Sequence, residues 1–468
     1  MQNITFQNIS ISGIPYNKIL QVNIAHNVGE HAYAGLELEV AKATGADFIK
    51  RADESIGVTI NTSAEGQHPV LFAGYIQNIS LQEMSDYSVL NVNLISASYK
   101  LDIQKKQRSF QNTQSTYGDI MEQAAEGKAT ITVTASDKAT NGFVMQYSET
   151  DWTFIKRMAS QLQAPIFVNI DSFVPTIFVG TPVRIGQFSY TTTNMMSSSA
   201  FMPNKSTPLM NPSFAFGKKT TEAAAATNSV QNEIYSYIGE KMNVNGVNYT
   251  IGSVSCSMEL GVLQCSYGLG TGDNFKCVVS TNNQLAGRMF MGEVKAVKGD
   301  QVKVHFTGLD DSYDEGGDKW FPYSTAYSSS DGSGFYCMPE EGDTVRVFIP
   351  SNNENDAFVA SSVNSNPQSN TRDKSWKAPG GKEILLADDG IYIICEGEKI
   401  YINLSTDKGI EIHSDKPINI TSDADVIMQA GGEIRMTAKT CINLAVGNSS
   451  VYIDNAQIQM GAEGVYIN

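Results

Sequence analysis

From Gly390 to the end of this 468-residue chain an apolar–x–apolar triplet recurs ten times. The triplets begin at Ile391, Ile400, Ile410, Ile418, Val426, Ile434, Ile442, Val451, Ile458 and Val465, seven to ten residues apart. That period is too short for a helical solenoid and suits a stack of short strands. Along a strand the outer residues of a triplet share one face and the middle residue takes the other. The outer residues are Ile391 and Ile393, Ile400 and Ile402, Ile410 and Ile412, Ile418 and Ile420, Val426 and Met428, Ile434 and Met436, Ile442 and Leu444, Val451 and Ile453, Ile458 and Met460, and Val465 and Ile467. Most middle residues are polar or amphipathic, among them Tyr392, Tyr401, Glu411, Asn419, Tyr452 and Tyr466. Polar turns such as Ser414-Asp415-Lys416 separate the triplets.

A three-residue strand with one apolar face cannot bury that face alone. A single-chain β-helix needs coils of about 18 residues, because each coil passes round several faces. Three chains wrapped round one axis solve the problem, each supplying one side of every layer. The expectation is a homotrimeric intertwined β-helix whose core is the twenty outer residues. Ten layers at about 4.8 Å give a rod of about 50 Å. The competing reading, a monomeric β-sandwich tail, would need longer strands.

Upstream, several strand-like runs separated by turn signals occupy about 286–366: Met289–Val297, Gln301–Thr307, Thr344–Ile349 and Ala357–Val363. Their number and spacing fit a five-stranded OB-type barrel. The acidic run Asp310, Asp311, Asp314, Glu315 and Asp318 speaks against nucleic acid there. The first 285 residues read as mixed: strands at Ile19–Ile24, Ala34–Val40, Val58–Ile60, Val70–Ile76 and Val89–Ile95, and helices at Ser115–Ala125 and Asp151–Leu162. Ser148 followed by Asp151 reads as the start of the second helix. Asn245-Gly246 reads as a hairpin turn, and 191–228 as loops with a short helix. The fold class is thus mainly β with some α, ordered as 1–285, 286–366, a linker 367–381 and 382–468.

Charge and motifs narrow the function. Lys plus Arg number 33 and Asp plus Glu 49, a net −16, which disfavours binding to nucleic acid or to anionic lipid. Six cysteines form no CxxC and read as packed thiols in a reducing compartment. Met1–Ile14 has no basic leader pattern and no run of 18 apolar residues occurs, so assembly in the cytoplasm is expected. No HExxH, GxSxG, P-loop or GxGxxG motif is present. Asp388/Asp389 reads as a solvated turn, and His413 as an outward residue rather than a metal ligand. No catalytic residue, cofactor or metal is expected.

Two segments resemble a known family. Gln146, Tyr147, Glu149, Asp151, Phe154 and Arg157, in the run from Gln146 to Arg157, match the hub segment of VgrG proteins, with Thr150 where the family usually has Ser. Gly334, Phe335, Pro339, Glu340, Gly342 and Asp343 match the OB segment of baseplate spikes, and Trp320 loosely matches a Trp-containing segment there. The order hub, barrel, β-helix is similar over essentially the whole chain. The resemblance implies a tail-hub domain of two β-barrel subdomains with helical insertions. It implies a non-enzymatic homotrimeric hub and spike of a contractile injection machine, of the type VI secretion or phage-tail kind. Such a spike caps an inner tube, contacts baseplate proteins and punctures a target membrane in a transient contact. It ends in a PAAR-like tip protein, carries effector cargo and leaves the cell through the machine. The alternative is a prophage or phage-like tail spike with a cell-wall hydrolase or glycan-binding role.

Overall fold

The computed structural model describes residues 2–183, 187–190, 196–199, 226–309, 313–314, 316–366, 369–397 and 399–466. The expectations placed on Ile467, on Asp310, Asp311 and Glu315, and on most of 191–228 lie outside these residues. Residues 1–365 form one compact unit and 366–468 a second.

The first unit is organised by a twelve-stranded sheet. Along its main path run Ile9–Ser12, Gly57–Thr62, Val70–Glu83, Ser88–Ser96, Tyr33–Val40, Lys18–Asn27, Val247–Glu259, Val262–Gly270, Ala226–Asn232 and Met196–Ser199. In Tyr33–Val40 every second residue (Ala34, Leu36, Leu38, Val40) is buried, the period-2 pattern of a strand with one face on a core. At the described positions 196–199 and 226–228 of the stretch expected as loops and a short helix, the structure has strand, Met196–Ser199 and the start of Ala226–Asn232. The turn at Asn245-Gly246 is a hairpin with both residues at positive φ, 51° and 85°, the geometry that Asn-Gly supplies at low cost.

Three α-helices pack on this frame. α1 (Lys42–Arg51) has no sequence signal: Ala41 cannot cap it, Gly45 weakens it, and only Gly45 and Phe48 are buried. Packing selects it nonetheless, since a Cβ at Gly45 would lie 2.8 Å from Leu81 and 2.9 Å from Val40. α2 (Tyr117–Ala125) starts at a reciprocal cap between Thr116 and Asp119. α3 (Asp151–Gln161) is capped by Thr150, whose Oγ1 accepts from the Thr153 N–H at 3.1 Å. Ser148 is therefore not the cap. It sits at φ 54°, where the pairing of Lys105–Phe110 with Val144–Thr150 slips by one residue, the mark of a β-bulge. Thr150→Ala should cost about 1–2 kcal/mol in urea unfolding, because the cap and the hydroxyl's hydrogen bond to Asp102 are both lost, and Thr150→Ser much less, because it keeps the hydroxyl.

The barrel is a separate five-stranded antiparallel sheet in the order Phe321–Pro322, Gln301–Phe306, Arg288–Lys298, Thr344–Ile349, Phe358–Ser362. Its outer strands meet where Tyr323 bridges Val359 and Ser324 N–H donates to the Val359 carbonyl at 2.8 Å, so it closes. Its core holds Val294, Val302, Val304, Phe306, Phe321, Val345, Val347, Ile349 and Val359.

One cysteine expectation is corrected. Cys256 and Cys265 form a disulfide across the hairpin Val247–Glu259/Val262–Gly270. They stand directly opposite one another in its register, Cα atoms 4.1 Å apart, so the strand pairing itself brings the thiols together. Cys277 remains a half-buried thiol whose pKa burial raises to about 11, while the thiols of Cys337, Cys395 and Cys441 are exposed rather than packed.

In the second unit Lys374–Ala378, Lys382–Ala387, Gly390–Ile394, Ile400–Ser405 and Gly409–Ser414 form an antiparallel meander. Cys441–Val446, Ser449–Asp454 and Ile458–Gly461 form a second one. The first of these strands lies within the stretch expected as a linker. The strands run to four to six residues, longer than the triplets alone, because flanking residues join the pairing.

Candidate functional site

The motif from Gln146 to Arg157 spans the strand Val144–Thr150 and α3, and its polar residues converge. Gln146, fully buried, accepts from Arg108 Nε at 2.8 Å and donates to the Glu149 carbonyl and to Asp151 Oδ1. Asp151, in the first turn of α3 where the helix dipole favours an anion, is 2% exposed. Its carboxylate meets Arg108, Lys106 (3.0 Å) and Lys128 (3.3 Å). Glu126 joins the same three cations. Burial pushes the Glu126 carboxyl up, but Lys106, Arg108 and Lys128 together outweigh it and hold it below the ordinary range. Burial likewise pulls Lys128 down, and Asp151 and Glu126 more than restore it. Two carboxylates against three cations make a satisfied ion cluster that locks α3 to the strand Lys105–Phe110.

Arg157, one turn beyond Phe154, faces the barrel. Its Nε and Nη2 grip Glu149, each at 2.9 Å, and Nη2 also donates to the Met145 carbonyl. Nη1 reaches Glu354 at 2.8 Å, on the short helical turn before the last barrel strand. Burial opposes the Arg157 charge, and Glu149 and Glu354 raise it further still. Phe154 stacks on Phe110 at 5.4 Å. Tyr147 sits edge-on to the barrel residue Phe290 at 5.1 Å. Sequence reasoning found one half of this site. It missed Lys106, Arg108, Glu126, Lys128 and Glu354, which lie far off in the chain and carry no local signal.

The barrel motif works as a turn. Glu340 and Asp343 close it: Asp343 N–H donates to the Glu340 carbonyl, Glu340 N–H donates to Asp343 Oδ2, and Gly342 takes φ 91°. Pro339 is buried beneath it, whereas Phe335 is exposed. Gly334 bridges Ser328 so tightly that a Cβ would lie 2.4 Å from the Tyr327 carbonyl. Trp320 is half-buried under the Lys303 ammonium at 5.3 Å.

A Ser–His–Asp order does occur in the hub. His31 Nδ1 lies 2.8 Å from Ser98 Oγ, and Nε2 lies 3.5 Å from Asp102. Ser98 is fully buried and also bonded to Ser96, so its hydroxyl meets no substrate. His31 packs at a tilt against Trp152, ring centroids 4.4 Å apart, and meets the Tyr99 edge. Burial lowers its affinity for a proton, outweighing Asp102 and Glu30, and Lys156 adds to the lowering. An unfolded chain therefore takes the proton first, at about pH 6.5. Stability should be highest above that pH and fall on acidification towards pH 5, with a slope of up to about 1.4 kcal/mol per pH unit. His31→Gln should flatten this part of the profile in urea unfolding at several pH values.

The tail carries the other expected site. In the first meander Trp376, Ile384, Ile393, Ile402 and Ile412 stand opposite one another across the strands, as do Leu386, Ile391, Leu404 and Ile410. In the second, Ile442, Ile453 and Ile458 form one row and Leu444, Val451 and Met460 another. Ile400 pairs at the end of its strand with Ser414. Ile418, Ile420, Val426, Met428, Ile434 and Met436 lie in 415–440, where no strand forms, and Val465 lies beyond the last. No described residue of this unit is buried, and the exposure of Ile402 (37%) and Ile410 (73%) spans much of the range. The triplets that lie in strands thus form apolar rows that, among the described residues, stay exposed. Among the described residues no group of acidic, histidine and cysteine side chains could hold a metal, and no helix is long and apolar enough to cross a membrane.

No curated protein matches the chain in sequence. Residues 34–168, which contain the Asp151 cluster and Arg157, match the phage tail baseplate hub (GPD) family. The E. coli c3393 protein, a type VI secretion component described as similar to the bacteriophage T4 tail proteins gp27 and gp5, is 14% identical with a TM-score of 0.53. The match covers 76% of this chain and 99% of that one. A chain of the half-lidded Francisella PdpA–VgrG complex is 9% identical with a TM-score of 0.54, covering 88% of each. The lidless PdpA–VgrG complex gives 10% and 0.51, over 88% of this chain and 98% of that one. The mainly β architecture is thus similar to that of these type VI secretion proteins, and residues 34–168 match the baseplate-hub family.

Proposed function

We propose that the chain is a structural, non-enzymatic hub and spike of a contractile injection machine, acting as a homotrimer. The single observation that carries this reading is the tail, whose in-register apolar rows are left open to water. A sheet with an uncovered apolar face of this extent requires a partner. The repeat offers the same face on every copy, so three copies cover one another. The hub segment supports placement on an inner tube among baseplate proteins. The tail would then be the rod that punctures a target envelope, with a PAAR-like tip protein and effector cargo as further partners. Chains would be made in the cytoplasm and leave through the machine. From 380 to 468 there are 6 basic and 13 acidic residues, a charge that keeps such a rod from sticking to an anionic surface. Light scattering of the full chain at micromolar concentration tests the reading: three chains per particle are expected, and a stable monomer would refute it.

A glycan-binding spike is the second reading. On the polar face of the tail Tyr401 stacks on His413 at 5.1 Å and donates to Glu411 at 3.2 Å, an aromatic and carboxylate pair of the kind sugars use. Retention on immobilised cell-wall glycan that Tyr401→Ala abolishes would favour it.

A further inference from the structure

The barrel core is not made by barrel residues alone. Phe143 and Met145, from the hub strand Val144–Thr150 and the residue before it, are buried in it, 1% and 0% exposed. The Phe143 ring lies 5.5 Å from Phe306 and 5.3 Å from Phe321. Val144, between them, points the other way into the hub core, so a single stretch of alternating residues serves two cores at once.

Polar contacts close the same seam. Gln111 Nε2, in the hub, donates to the carbonyl of the barrel residue Val304 at 2.9 Å. Phe143 N–H donates to Asn355 Oδ1 at 3.0 Å. Thr113 donates through N–H and Oγ1 to both oxygens of Asp318, at 2.8 and 2.7 Å. The Arg157–Glu354 pair spans the joint a fourth time. Gly142 has room for no side chain, since a Cβ there would fall 2.2 Å from Asn355 Oδ1.

We infer that the barrel folds only on a folded hub: the hub supplies part of the barrel's core, and the two are one mechanical body rather than two domains on a connector. Phe143 and Met145 sit among thirteen buried residues of that core. A barrel this small has little apolar area to spare, so losing two central side chains leaves it below the threshold of independent stability. A push delivered to the hub therefore reaches the barrel through packed side chains and a buried ion pair. The inference does not depend on which machine the chain serves.

Pulsed hydrogen–deuterium exchange of the full chain along a urea series tests it, because it reads hub strands (88–96) and barrel strands (288–306) separately. In Leu94→Ala, which cuts the hub core on the strand Ser88–Ser96 and touches no residue of the barrel core, the barrel strands should lose protection no later than the hub strands. Barrel protection that outlasts the hub would overturn the inference. In Phe143→Ala the barrel midpoint should drop by about 1 M urea while the hub midpoint moves much less, and Phe143→Leu should recover most of it. A barrel midpoint unmoved by Phe143→Ala would equally overturn it.

Discussion

Arg157→Met should lower the stability of the hub and barrel unit by about 3–5 kcal/mol, the cost of breaking a buried ion pair by removing one partner. Arg157 is 5% exposed, and its partners Glu149 and Glu354 are 8% and 12% exposed. Without the guanidinium, two carboxylates face each other with little water to screen them, and the Met145 carbonyl loses its donor. Methionine keeps an apolar stem but loses the guanidinium over the Phe154 ring at 5.2 Å, so the loss reports the charge and that contact together. Urea unfolding of the full chain measures it. Adding Glu149→Gln to Arg157→Met should recover part of the loss, because one of the stranded charges is gone. A deficit below about 1 kcal/mol would mean that Arg157 behaves as a surface pair.

Ile393→Asp should turn the proposed trimer into a monomer, a threefold drop in particle mass by light scattering. Ile393 stands in the middle of an apolar row between Ile384 and Ile402. In the proposed assembly the substitution places three carboxylates in one dry layer, at a cost of several kcal/mol per chain. Glu411→Gln, on the opposite face of the same meander, should leave the mass unchanged. The hub and barrel should keep their far-ultraviolet signal in both variants, since no tail residue contributes to either core. A particle mass that survives Ile393→Asp would show that these rows are not what holds copies together.

Legibility followed the range of the interaction. Periodicity exposed the strands Lys18–Asn27, Tyr33–Val40, Gly57–Thr62, Val70–Glu83 and Ser88–Ser96 of the hub and all four longer barrel strands, because alternation is a local consequence of one buried face. α2 and α3 were legible for the same reason: α2 starts two residues later than expected, where Thr116 caps it, and α3 starts at Asp151 as expected, with Thr150 rather than Ser148 as its cap. α1 was not legible: its own residues favour no helix, and Leu81 and Val40 press it into place from elsewhere in the chain. The disulfide was hidden because it follows from hairpin register, which the spacing of Cys256 and Cys265 did not display without the turn at Leu260-Gly261.

The sequence by itself determined the mainly β class, the strand runs of the barrel and the apolar face of the tail. Each follows from patterns of two to ten residues. Only the tertiary structure decided that the motif residues form one ion cluster and one clamp, and that the barrel borrows Phe143 and Met145 from the hub. Those contacts join residues up to about two hundred positions apart, such as Arg157 and Glu354. Burial makes them strong because little water competes there, and no local pattern records which distant side chain will arrive to be buried.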